Sequence, residues 1–137
     1  MAEASLARKL GLKPGQTICL LGASPEGRAA VRAACPAGTA LTEKLGRGVF
    51  DIILFWPRRR RGLEESFSRL QGKIRPDGAI WAVIPKKASL RGRELDFAWD
   101  ALQAAGLTTD LVDNKIASIT DGEYGTRFVI RKDLRNG

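Results

Sequence analysis

The apolar positions along this chain follow two alternating periods. Wholly apolar runs at 18–21, 52–55 and 79–84 have the length and continuity of strands covered on both faces. Between them, Leu63, Phe67, Leu70 and Ile74 recur at helical spacing. So do Leu95, Ala98, Trp99, Leu102 and Ala105, and Gly106 is the expected cap of that helix. Leu6 and Leu10, four apart, predict a short opening helix over 2–10 that ends at Gly11. Ser24 is the expected N-cap of a helix with Pro25 at its first position and Glu26 in its first turn, ending at Cys35-Pro36. Residues 39–42 form a weaker second strand, followed by a polar loop at 43–48. The strongest strand, 50–56, stops at Pro57, and Pro76-Asp77-Gly78 reads as a turn. Extended segments at 111–120 and 124–131, joined by Asp121-Gly122-Glu123, carry a hairpin signal, and 135–137 read as a frayed tail.

Strands that alternate with helices imply a parallel sheet with right-handed crossovers. The expected fold is therefore a single α/β domain over 1–137. It is Rossmann-like and three-layered, with a mostly parallel sheet and a C-terminal antiparallel hairpin. In such sheets ligands gather at the carboxyl ends of the strands, beside the first one. The stretch 17–27 supplies that first strand, its glycine turn and the start of the next helix.

Composition changes this picture in three ways. The chain has no histidine, which removes Ser-His-Asp and Cys-His triads; with only Cys19 and Cys35, no metal site is expected. No run approaches the ~20 apolar residues of a membrane span. With no signal-peptide pattern and two well-separated cysteines, a cytoplasmic location with free thiols is expected. The net charge of +8 favours an anionic small molecule or nucleic acid as partner.

The local text resembles a known superfamily. Leu12-Lys13-Pro14-Gly15-Gln16-Thr17-Ile18-Cys19-Leu20-Leu21-Gly22 is similar to the lead-in and first motif of class I S-adenosylmethionine-dependent methyltransferases. Phe50-Asp51-Ile52-Ile53-Leu54-Phe55-Trp56-Pro57 resembles their fourth-motif strand, and Ile74-Arg75-Pro76-Asp77-Gly78-Ala79-Ile80-Trp81 the turn and strand that follow. The short length and the run Pro85-Lys86-Lys87-Ala88-Ser89 resemble, more narrowly, an uncharacterised bacterial family of short class I methyltransferase-like proteins. That resemblance implies a truncated version of the fold, with one strand–helix unit missing between Thr42 and Val49, and S-adenosylmethionine as the cofactor to consider. It also exposes two departures. Leu20 stands where the superfamily carries an acidic residue, and Ser24 where it carries a second glycine.

The candidate cofactor residues are Gly22, Ala23 and Ser24 in the first turn, Glu43 at the end of the second strand for ribose hydroxyls, and Trp56 as a stacking surface. A tryptophan at a strand end is more often core. The candidate anion-binding residues are Arg58, Arg59, Arg60 and Arg61, with Lys86 and Lys87, followed by Arg91 and Arg93, leaving the neighbouring strand at the same edge. No carboxylate pair has a spacing suited to acid–base work, so no catalytic residue is named. Three functions stay open. One is a degenerate, non-catalytic domain that binds a nucleotide-like or other anionic ligand at the strand ends. The others are a minimal S-adenosylmethionine-dependent methyltransferase and a salt-dependent nucleic-acid-binding module.

Overall fold

A computed structural model of the chain describes residues 2–86 and 95–135. The elements run α1 (Ala2–Leu10), β1 (Thr17–Leu21), α2 (Pro25–Ala34), β2 (Ala40–Thr42), β3 (Phe50–Phe55), α3 (Leu63–Gln71), β4 (Ile74–Pro85), α4 (Trp99–Leu107), β5 (Leu111–Thr120), β6 (Glu123–Ile130) and α5 (Lys132–Arg135). One six-stranded sheet has the order β2-β1-β3-β4-β6-β5. β2, β1, β3 and β4 are parallel; β6 runs antiparallel to both β4 and β5. Only a loop joins β2 to β3, so β2 is the sheet's edge, as expected of a fold that lacks one strand–helix unit there.

The period of two along each strand divides the core between the faces of the sheet. Ile18 and Leu20 of β1, Ile52 and Leu54 of β3, and Trp81 and Val83 of β4 pack with Leu6 and Leu10 of α1 and Val31 of α2. Their neighbours Cys19, Ile53, Phe55, Ile80 and Ala82 pack on the opposite face with Leu63, Phe67 and Leu70 of α3 and Leu102 of α4. Phe67 meets Phe55 and Phe128 edge-on, at centroid distances of 5.3 and 4.7 Å. Both faces of the central strands are therefore covered, which explains why their sequences show no polar alternation.

Four local expectations are corrected. Ile74 does not continue the α3 stripe; the helix closes at Gly72 and Ile74 opens β4. Pro76-Asp77-Gly78 lies within β4, where the chain bulges out between the pairs Phe50–Ile74 and Ile52–Ala79. Gly78 is required there, because an added Cβ would lie 2.8 Å from the backbone oxygen of Asp51. Leu95 precedes α4, and Ala98 is its N-cap rather than part of its apolar face. Gly106 is buried inside α4 rather than capping it, and an added Cβ would collide with the ring of Phe128.

Candidate functional site

The first turn folds as its residues dictate. Gly22 adopts φ 69°, a conformation open to glycine, and reverses the chain after β1. Ser24 is extended, and its Oγ accepts the backbone N–H of Gly27 at 3.0 Å, capping α2. Ala23 is buried in the α1–α2 core layer.

Three residues from two other parts of the chain then close on this turn. Arg58 donates from Nη2 to the carbonyl oxygen of Gly22 at 2.7 Å. Trp56 packs against Gly27 so closely that an added Cβ would lie 2.5 Å from Cζ2 of the indole. From the hairpin, Glu123 accepts the Ser24 hydroxyl at 2.9 Å, which brings a carboxylate to the positive end of α2. Trp56 is only 7% exposed, and its Nε1 is buried without a hydrogen-bond partner among the described residues.

Glu43 follows β2 as expected, but its carboxylate is turned to the flank of α2. There it bridges Arg28 Nε at 2.9 Å and Arg32 Nη2 at 2.7 Å. Hydrogen bonding from Arg32 holds the Glu43 carboxyl below its ordinary value. It lines neither of the two cavities beside Trp56.

Two cavities flank Trp56. The larger, about 970 Å³, lies among the N-terminus of α2, the end of β4 and the hairpin turn; Ser24, Trp56, Val83 and Glu123 contribute to its wall. The smaller, about 360 Å³, lies beside α3 above the ends of β1 and β3. Arg58, Arg59, Arg61 and Arg69 line it over an apolar floor that includes Leu21 and Phe55, and no carboxylate contributes. All four arginines are exposed. Among the described residues, no ion pair engages Arg59, Arg61 or Arg69.

The arginine run is thus divided. Arg60 does not line the cavity; its backbone N–H donates to Asp96 Oδ1 at 2.7 Å. Lys86 turns to the hairpin, donating from Nζ to Ser118 Oγ at 2.8 Å, and lines neither cavity. Lys87, Arg91 and Arg93 lie outside the described residues. Sequence reasoning missed Ser66 and Arg69, which share the small cavity; their signal was a spacing of three along the flank of the α3 stripe. It also missed Glu123, whose partner Ser24 lies 99 residues away.

Several other polar side chains serve the scaffold. Asp51 accepts the backbone N–H of Thr17 and pairs with Arg75, tying the amino ends of β1, β3 and β4. Asp113, Asn114 and Lys115 are bonded respectively to Gln103, Arg127 and the backbone of Lys9. Trp99 donates to Thr126, and Tyr124 packs against the α3–α4 layer. Burial pushes the Cys19 thiol up to about 11 and raises that of Cys35 as well, so neither is an activated nucleophile. Among the described residues, no cluster of metal-ligating side chains occurs and no helix is long and apolar enough to cross a membrane.

The architecture is that of class I S-adenosylmethionine-dependent methyltransferases. A TehB-like S-adenosylmethionine-dependent methyltransferase from Corynebacterium glutamicum superposes with a TM-score of 0.61, covering 95% of this chain and 88% of that one at 13% identity. The CcbJ methyltransferase from Streptomyces caelestis gives 0.61, covering 94% and 89% at 10% identity. A ribosomal protein L11 methylase from Lactobacillus delbrueckii subsp. bulgaricus gives 0.59, covering 95% and 77% at 13% identity. No protein-family model matches the sequence, and no curated protein matches it either. At these identities the likeness is one of fold.

Proposed function

We propose that this chain is a degenerate methyltransferase-fold domain, without transferase activity, that binds an anionic ligand at the carboxyl edge of its sheet. The observation that carries this reading is the first turn, filled by the chain's own groups. Arg58 holds the Gly22 carbonyl, Trp56 covers Gly27 and Glu123 takes the Ser24 hydroxyl. A cofactor seated there would have to displace the indole and compete with a carboxylate at the end of the helix dipole. Leu20 offers no charge to organise the amino-acid end of such a ligand, and Glu43 is held by two arginines.

The smaller of the two cavities beside Trp56 has the opposite preference. Its lining carries four guanidinium groups and no carboxylate, so a sulfonium cation is repelled from it and an anion attracted. The reading is tested by calorimetry on the full chain with S-adenosylmethionine and, separately, with inorganic pyrophosphate. Heat is expected with pyrophosphate, weakening as salt rises, and none with S-adenosylmethionine. Micromolar binding of S-adenosylmethionine together with methyl transfer to any acceptor overturns it.

A further inference from the structure

We infer that the ligand of the arginine-lined cavity is a small phosphate monoester with an apolar or ring-shaped body, rather than a phosphodiester or a nucleic-acid backbone. This rests on the anion-binding reading and narrows it to one ligand class.

Charge is the first argument. Arg58, Arg59 and Arg61 enter from the loop after β3 and Arg69 from α3. A diester carries one negative charge and leaves most of this cluster unneutralised. A monoester carries nearly two at neutral pH, and its three terminal oxygens accept guanidinium forks from several directions. The arginines supply this field: the N-cap of α3, Gly62, lines the cavity without a side-chain cap, but Glu64 and Glu65 in the first turn of α3 offset the helix dipole there.

Size and polarity supply the second argument. About 360 Å³ is near the lower end of the roughly 300–1,000 Å³ typical of small-molecule sites. Leu21, Phe55, Leu63 and Leu70 form an apolar floor beneath the charges. A bare ion leaves that floor wet. A phosphate with a compact apolar body covers it while the arginines hold the charged end, and the Ser66 hydroxyl is a further donor beside it.

The chain gives this proposal an unusually clean readout. It contains no histidine, and arginine does not titrate in the accessible range. Between pH 5 and 7 the ligand's own second ionisation, near 6, is then the main event that changes affinity. The second charge is present above that value and lost below it. Monoester binding therefore weakens as pH falls from 7 to 5, and diester binding stays level.

The experiment is calorimetry of the full chain with adenosine 5′-monophosphate, 3′,5′-cyclic adenosine monophosphate, adenosine and a hydroxyl-ended single-stranded oligonucleotide. The monophosphate is expected to bind about tenfold or more tightly than the cyclic diester, with that pH dependence, and adenosine not at all. Arg69→Gln and Arg61→Gln should each weaken it about 10- to 100-fold, the range of one charge-assisted contact. Arg131→Gln, at an arginine that does not line the cavity, should leave it unchanged. Circular dichroism confirms that each variant folds. If the cyclic diester or the oligonucleotide binds as tightly as the monoester, and Arg69→Gln still weakens it, the monoester class is wrong and anion binding stands. If no anion binds, or the arginine variants change nothing, both readings fall.

Discussion

Replacing Gly27 with alanine tests the packing of the first turn with a single methyl group. Gly27 is the third residue of α2, and its new Cβ would lie 2.5 Å from Cζ2 and 3.1 Å from Cε2 of Trp56, and 2.9 Å from Ser24 Oγ. Trp56 is little exposed and belongs to the core layer under α1 and α2, so a shift of its ring gives up buried contacts. Overpacking of this kind costs about 1–3 kcal/mol. Alanine recovers up to about 1 kcal/mol of helix propensity, less in a first turn. The expected net loss is about 1–2 kcal/mol, a fall in Tm of roughly 3–8 °C for a domain of this size. Urea unfolding of Gly27→Ala, Trp56→Leu and the double variant measures it. In the Trp56→Leu background the methyl group enters vacated space, and Gly27→Ala should become neutral or stabilising, with a coupling of about 1–3 kcal/mol. Gly27→Ala that is harmless in both backgrounds would refute the claim that the indole occupies this turn.

Other expectations follow from the same contacts. Ser24→Ala removes the cap of α2 and the partner of Glu123; a loss of about 1 kcal/mol is expected in urea unfolding. Gly106→Ala drives a methyl group into the ring of Phe128 and should destabilise the domain by about 1–3 kcal/mol, whereas a capping glycine with open space would tolerate it. The Glu43 carboxyl is held below its ordinary value, so its contribution is present above that value and lost as pH falls beneath it; Glu43→Gln should flatten the acid limb of a Tm–pH profile. With its thiol pushed up to about 11 and its side chain enclosed, Cys19 should resist alkylation at pH 8 until denaturant is added.

The sequence made the scaffold readable because its strong signals were local. Continuous apolar strands, a Ser-Pro-Glu helix start and a glycine with positive φ each depend on a few adjacent residues. Failures came where a distant element decided the outcome. Gly106 resembles a helix cap until Phe128 is packed against it, and Pro76-Asp77-Gly78 resembles a turn until β3 draws it into a bulged strand. The candidate site divided for the same reason. The arginine run was visible as four adjacent letters, but Arg60 does not line the cavity and Arg69 joins it from the neighbouring helix. Glu43 occupied the expected place along the chain, and only the nearness of α2 shows its carboxylate committed to Arg28 and Arg32. The filling of the first turn by Glu123 is a contact across 99 residues, which no local pattern encodes.

A crystal structure determined with millimolar S-adenosylmethionine and adenosine 5′-monophosphate together addresses the central claim most directly. The expected result keeps Trp56 on Gly27 and Glu123 on Ser24, with phosphate density among Arg59, Arg61 and Arg69 and none for S-adenosylmethionine. S-adenosylmethionine seated above Gly22, with the Ser24–Glu123 bond broken and the indole displaced, would contradict it.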